Sequence, residues 1–133
     1  MFFDMPNEYD IKGRLDSNGE YLFTDGLRER YEEKDMLPVE NFLVSILKCK
    51  FLTIKNLLTK RRIQFTFVEG DGVCYLQEDK PRRIYKIGMN IFFDGTQVPE
   101  DELGVLSNLS DKQCVLEQSI NRDIEVEVKY HLK

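Results

Sequence analysis

Pro38-Val39-Glu40-Asn41-Phe42-Leu43-Val44-Ser45-Ile46-Leu47-Lys48-Cys49-Lys50-Phe51-Leu52-Thr53-Ile54-Lys55-Asn56-Leu57-Leu58-Thr59-Lys60 is the stretch that decides the fold. Pro38 suits the first position of a helix, where its missing N–H costs nothing. Glu40 falls in the first turn, where the helix dipole favours an acid. From Phe42 to Leu58, 11 of 17 residues are apolar. Lys55, Lys60, Arg61 and Arg62 gather toward the far end, which suits its negative pole. The pattern predicts one helix from about Pro38 to Lys60, apolar around most of its circumference.

Outward from this helix the chain reads as short strands and short helices. Tyr9 to Leu15 and Glu20 to Thr24 are strand-like and flank the turn Asp16-Ser17-Asn18-Gly19. After the Asp25-Gly26 turn, Leu27 to Glu33 is a possible edge strand. Ile63 to Val68 alternates well, and Val73 to Leu76 continues the sheet after Gly70-Asp71-Gly72. Ile84 to Phe93 is a strand ended by Gly95. Pro99, Glu100, Asp101 and Glu102 open a helix to about Asn108. Ser110 with Gln113 forms a capping-box pattern for a second short helix, Asp111 to about Gln118. Ile124 to Tyr130 alternates strictly as a final strand. The order βββ–α–ββ–αα–β is α+β, in one domain spanning 1–133. One sheet and two short helices are little material to cover so apolar a helix, which motivates a homodimer.

Composition narrows the function. The chain has 133 residues, a net charge of −5 and mixed basic and acidic residues, unlike the basic stripe of a nucleic-acid binder. No run approaches the ~20 apolar residues that span a bilayer, so no membrane role is expected. The start, Met1-Phe2-Phe3-Asp4-Met5-Pro6, has neither a basic leader nor a cleavage-like site, and no secretory signal is expected. Cys49, Cys74 and Cys114 are too few, and odd in number, for a secreted disulfide framework. They lie 25 and 40 residues apart, with His131 the single histidine, so neither a metal site nor a bound cofactor is expected. The default location is the reducing cytoplasm.

Three thiols remain as carriers of chemistry. Alone, Cys49 inside the apolar helix reads as a small core filler. The capping box puts Cys114 about one turn into a helix, near unpaired backbone N–H groups that lower a thiol pKa, although core packing is again the commoner role. Cys74, on a presumed strand, reads as structural. Gly70-Asp71-Gly72 lacks the rest of a phosphate-loop fingerprint, and His131 reads as a surface residue of the last strand.

The segment Pro38 to Cys49, continuing to Lys60-Arg61-Arg62-Ile63, resembles the central helix of the OsmC/Ohr (organic hydroperoxide resistance) family. There a Pro-x-Glu opens a long buried helix, and a cysteine follows. Leu109-Ser110-Asp111-Lys112-Gln113-Cys114-Val115-Leu116-Glu117-Gln118-Ser119-Ile120 is similar to the family's second cysteine motif. The interval of 65 residues from Cys49 to Cys114 also fits. The sequence departs from the family in Lys48, beside Cys49, and in Val115 and Leu116, after Cys114, where small residues or proline are usual.

The resemblance implies an OsmC-like fold, with the long helix packed on the sheet in an intertwined homodimer. It implies a thiol peroxidase for organic hydroperoxides, with Cys49 the peroxidatic thiol and Cys114 its resolving partner, reduced by an external dithiol. It also implies an arginine facing the thiolate, held by Glu40. Arg14 is the choice, with Arg28 and Arg30 as alternatives. Nine residues separate Glu40 from Cys49, about 13 Å along a helix and on its opposite face. Glu40 therefore acts only through a bridging arginine, an irregular helix start or a partner chain. The alternative is a non-catalytic dimer of the same fold, serving as a small-molecule binding or interaction module.

Overall fold

The computed structural model describes residues 7–24 and 36–133. Its elements are β1 (Glu8–Asp16), β2 (Tyr21–Thr24), α1 (Pro38–Lys60), β3 (Phe67–Leu76), β4 (Ile84–Phe93), α2 (Leu103–Gln113), α3 (Val115–Ser119) and β5 (Glu125–Leu132). A 3-10 turn, Glu100–Glu102, leads into α2. This is the expected α+β architecture. The strand expected at Leu27 to Glu33 lies outside the described residues.

The five strands form one sheet in the order β2-β1-β3-β4-β5. All neighbours are antiparallel except β4 and β5, which run parallel. The parallel pair is reached through the connection that carries α2 and α3. Alternation sorts the sheet into two faces. Tyr9, Ile11 and Leu15 of β1, Val68, Cys74 and Leu76 of β3, and Ile87, Met89, Ile91 and Phe93 of β4 are buried against the helices. Lys12, Arg14, Glu69, Asp71, Asn90 and Lys129 line the other face.

α1 runs over this inner face. Its buried residues are Glu40, Leu43, Val44, Ile46, Leu47, Lys50, Phe51, Ile54, Leu57 and Leu58. A single chain therefore covers more of the helix than its composition suggests. The remainder is an open stripe, with Phe42, Ser45, Leu52 and Asn56 exposed and Cys49 half-buried among them. Steps of three and four residues keep these five positions on one side of the helix.

The strand expected from Ile63 starts only at Phe67, because the chain first leaves α1 through a left-handed Arg62 (φ 58°) and an Ile63 N–H donated to the Leu58 carbonyl at 2.9 Å. Two further boundaries differ from the sequence expectation, each for a physical reason. Gly70 and Gly72 do not interrupt β3, which is unbroken and faces both glycines toward α1. A Cβ on Gly70 would lie 3.0 Å from Phe51 Cε1 and 3.0 Å from the Asn90 carbonyl. One on Gly72 would lie 2.9 Å from Leu43 Cδ1. The glycines leave room for close helix–sheet approach. The second difference is the helix break, which falls at Cys114 rather than between Asn108 and Asp111. Ser110 is no cap: it is buried inside α2.

Candidate functional site: two thiols at the junction of three helices

Cys49 sits on the open stripe of α1, and Cys114 is the fully buried residue that ends α2 and begins α3. Packing of α2 and α3 against α1 brings them together, close enough for the Cys49 thiol to raise the Cys114 pKa. Both are free thiols. One is reachable from solvent and the other stands behind it in the core.

Their environments are unequal. Burial pushes the Cys114 thiol up to about 11, the Glu117 N–H and the Lys50 charge pull it back, and the facing Cys49 raises it further. The helix-start position was expected to lower this pKa; desolvation outweighs it. Lys48 and Tyr21 border Cys49, with the Lys48 Nζ 5.4 Å from the Tyr21 ring centroid. Cys74 faces the core from β3, and burial alone pushes it up to about 12.

An apolar pocket of about 330 Å³ opens along the same stripe, lined chiefly by Phe42, Ile46, Leu116, Ile120 and Ile124. Phe42 and Ile46 lie within two turns of Cys49, and Leu116 follows Cys114 by two residues. A hollow of about 310 Å³ beside Lys12, Arg14 and Lys133 is on the opposite face of the sheet, away from the thiols.

Glu40 and Arg14 are not assembled with the cysteines. The Glu40 carboxylate accepts the Leu37 N–H at 2.8 Å, which satisfies one of the unpaired donors at the start of α1. Arg14 lies on the outer sheet face, donating to Glu69 at 2.9 Å and resting 4.9 Å from the Phe67 ring centroid. Arg28 and Arg30 lie outside the described residues. His131 is also on the outer face, 3.1 Å from the Asn90 side-chain oxygen and stacked on Phe92. Among the described residues, no three His, Cys, Asp or Glu side chains are grouped to hold a metal. Nor is any helix long and apolar enough to cross a membrane.

Residue reading missed a buried ion cluster beside Cys114. Lys50 is fully buried, and its ammonium donates to Asp111 at 3.0 Å, to Glu117 and to the Tyr130 hydroxyl at 2.9 Å. Tyr130 in turn donates to Asp111. A signal was present: Lys50 continues the buried series Leu43, Leu47, Ile54 and Leu57, a position that an unpaired lysine does not occupy.

Residues 31–129 match the family model of OsmC-like protein. The chain belongs to the OsmC-like protein family. Solved structures agree in fold. A hypothetical protein from Aquifex aeolicus VF5 is 22% identical with a TM-score of 0.67, over 92% of this chain and 94% of that one. An organic hydroperoxide resistance protein OsmC from Legionella pneumophila is 17% identical with a TM-score of 0.59, over 94% and 96%. An organic hydroperoxide resistance protein from Elizabethkingia anophelis is 13% identical with a TM-score of 0.63, over 87% and 84%. At such identities the likeness to this OsmC-like protein is one of fold. No curated protein matches the sequence.

Proposed function

We propose that this OsmC-like protein reduces organic hydroperoxides by a two-cysteine cycle. The observation that carries the reading is the pairing of a half-buried thiol, Cys49, with a buried thiol, Cys114, directly behind it. The Cys49 thiolate attacks the distal peroxide oxygen. An S–O bond forms, the O–O bond breaks, and the alkoxide leaves as the alcohol after taking a proton. Cys114, losing its proton, then attacks the sulfenic sulfur. The S–S bond forms and the hydroxide leaves as water. An external dithiol returns both thiols. The apolar pocket beside the stripe suits the organic part of the substrate. The organic hydroperoxide resistance proteins among the fold neighbours support the same role.

A homodimer completes the proposal. The open stripe of α1 and the exposed Val115 and Leu116 offer apolar surface around Cys49. A second copy docked there would close the site over the thiol. In this arrangement Glu40 and an arginine, Arg28 or Arg30, act across the interface, since Arg14 is held on the opposite sheet face by Glu69. Sedimentation velocity at micromolar concentration tests the dimer, and a stable monomer removes it.

One stoichiometric equivalent of cumene hydroperoxide, followed by thiol alkylation and mass spectrometry, tests the chemistry. The expected product is a Cys49–Cys114 disulfide. The Cys114→Ser variant stops at sulfenic or over-oxidised Cys49, and Cys49→Ser consumes essentially no peroxide. Full turnover by Cys49→Ser refutes the mechanism. The second reading, a non-catalytic binding dimer, is favoured by the outward position of Arg14 and the apolar pocket beside the stripe. It takes over if the intact protein with a dithiol consumes no peroxide.

A further inference from the structure

The Lys50 cluster has no assigned role, and its placement around Cys114 is specific. Asp111 precedes Cys114 by three residues on α2, and Glu117 follows it by three on α3. Lys50 follows Cys49 directly on α1, and its Nζ bonds both carboxylates. One ammonium thus ties the cysteine-bearing stretch of α1 to both sides of the second cysteine. Its three N–H groups are all committed, to Asp111, Glu117 and Tyr130. It has no proton to deliver while these bonds stand, so it acts on the neighbouring sulfur as a fixed charge.

We propose that Lys50 is a positioning residue of the two-thiol site: its buried ammonium clamps the carboxylates flanking Cys114 and presents a positive charge to that sulfur as it attacks Cys49. The inference rests on the two-cysteine reading above, not on peroxide being the oxidant.

Charge and geometry give the role its shape. Cys114 is fully buried, and its thiolate has little access to water. A charge formed there needs a partner supplied by the protein. The groups facing it are the Cys49 thiol and the Lys50 ammonium from α1 and the Glu117 amide from α3. Around Lys50 stand Asp111 from α2, Glu117 from α3 and Tyr130 from β5. Burial opposes the ammonium, but Tyr130 and Glu117 outweigh it and push the Lys50 pKa above the ordinary lysine value. Lys50 therefore stays charged across the range in which a thiol is deprotonated. Burial also raises the Glu117 carboxyl, while Lys50 holds it down.

A reaction that needs no peroxide tests the proposal. Dipyridyl disulfide converts the accessible Cys49 to a mixed disulfide and releases one pyridinethione. Cys114 loses its proton to solvent and attacks the Cys49 sulfur, forming the protein disulfide and releasing a second pyridinethione. The rate of the second release against pH follows the Cys114 thiolate. In Lys50→Met the midpoint of this phase is expected to rise by about one unit, and its rate near pH 8 to fall about threefold, since an about tenfold smaller thiolate fraction is partly offset by a more nucleophilic thiolate. Glu117→Gln keeps an acceptor for Lys50 and removes a negative charge, so its midpoint is expected to fall. It also decides the matter if Lys50→Met does not fold. A Lys50→Met midpoint that does not move, or a Glu117→Gln midpoint that does not fall, overturns the proposal. Absence of a second release in the wild type overturns it together with the two-cysteine reading. A second release that behaves as expected in a protein that consumes no peroxide refutes the peroxidase alone.

Discussion

Gly70→Ala tests how closely α1 must approach the sheet to hold Cys49 in place. The added methyl would meet the Asn90 carbonyl, Ile91 Cδ1 and Phe51 Cε1, each at 3.0 Å. The Asn90 carbonyl belongs to the β3–β4 ladder and cannot step aside. Phe51 is fully buried between the sheet and α1, close to Gly13 as well, where a Cβ would lie 3.1 Å from its Cε2. Overpacking of this kind costs about 1–3 kcal/mol. Alanine returns about 0.4–1 kcal/mol by restricting the unfolded chain. A net loss of about 1–2 kcal/mol follows from the two. In urea, at one fixed chain concentration, the midpoint should fall by roughly 0.5–1 M. Gly104→Ala is the control: nothing lies within 4 Å of its added Cβ, and it sits in α2. Alanine there should stabilise by up to about 1 kcal/mol. A Gly70→Ala midpoint equal to or above the wild type would refute the argument that these glycines admit the helix.

Two further expectations follow from burial. Cys74, pushed up to about 12 by desolvation, should resist iodoacetamide in the folded protein while Cys49 is labelled; labelling of both at one rate, read by mass spectrometry, would contradict the assigned positions. Asp94 is buried and accepts from the Thr66 N–H at 2.9 Å, the Thr96 N–H at 3.0 Å and the Thr96 hydroxyl at 2.6 Å. Burial alone would raise its pKa, but these bonds hold it below the ordinary carboxylate value. Its contribution is therefore present above about pH 4 and lost as pH falls through the folded value. Asp94→Asn should cost about 1–3 kcal/mol near neutrality, and denaturation at falling pH should show the difference from wild type shrinking. A difference that grows on acidification would show the sign to be wrong.

In the proposed two-cysteine cycle, position alone gives the two cysteines different work. Cys49 stands in a stripe of α1 that the described residues leave exposed, and Cys114 is enclosed where α2 hands over to α3. A nucleophile for an outside substrate needs the first position. A thiol that reacts only with another protein sulfur can occupy the second, provided the protein supplies the charge that water would otherwise supply. The fully buried lysine beside it is suited to that supply.

Local pattern determined what depends on neighbours in the chain. The bounds of α1, Pro38–Lys60, follow from a proline start, an early acid, apolar periodicity and a basic end. The alternation of Ile84–Phe93 and of the last strand is equally local. Chain order and the two cysteine segments were enough to recognise the family. What local pattern did not decide depends on elements that meet only in space. Glycine is a strand breaker by propensity, yet Gly70 and Gly72 lie inside β3 because Phe51 and Leu43 occupy the volume their side chains would take. The Ser110–Gln113 pattern resembles a helix start, yet α2 runs through it, because Ser110 is buried there beneath Tyr130. Arg14 has a suitable charge, but strand alternation turns it to the sheet face opposite the helices, where Glu69 pairs with it. Lys50, Asp111, Glu117 and Tyr130 are far apart in sequence and become one cluster only when α1, α2, α3 and β5 pack. Periodicity records which way a residue points; only the packed chain determines what it meets there.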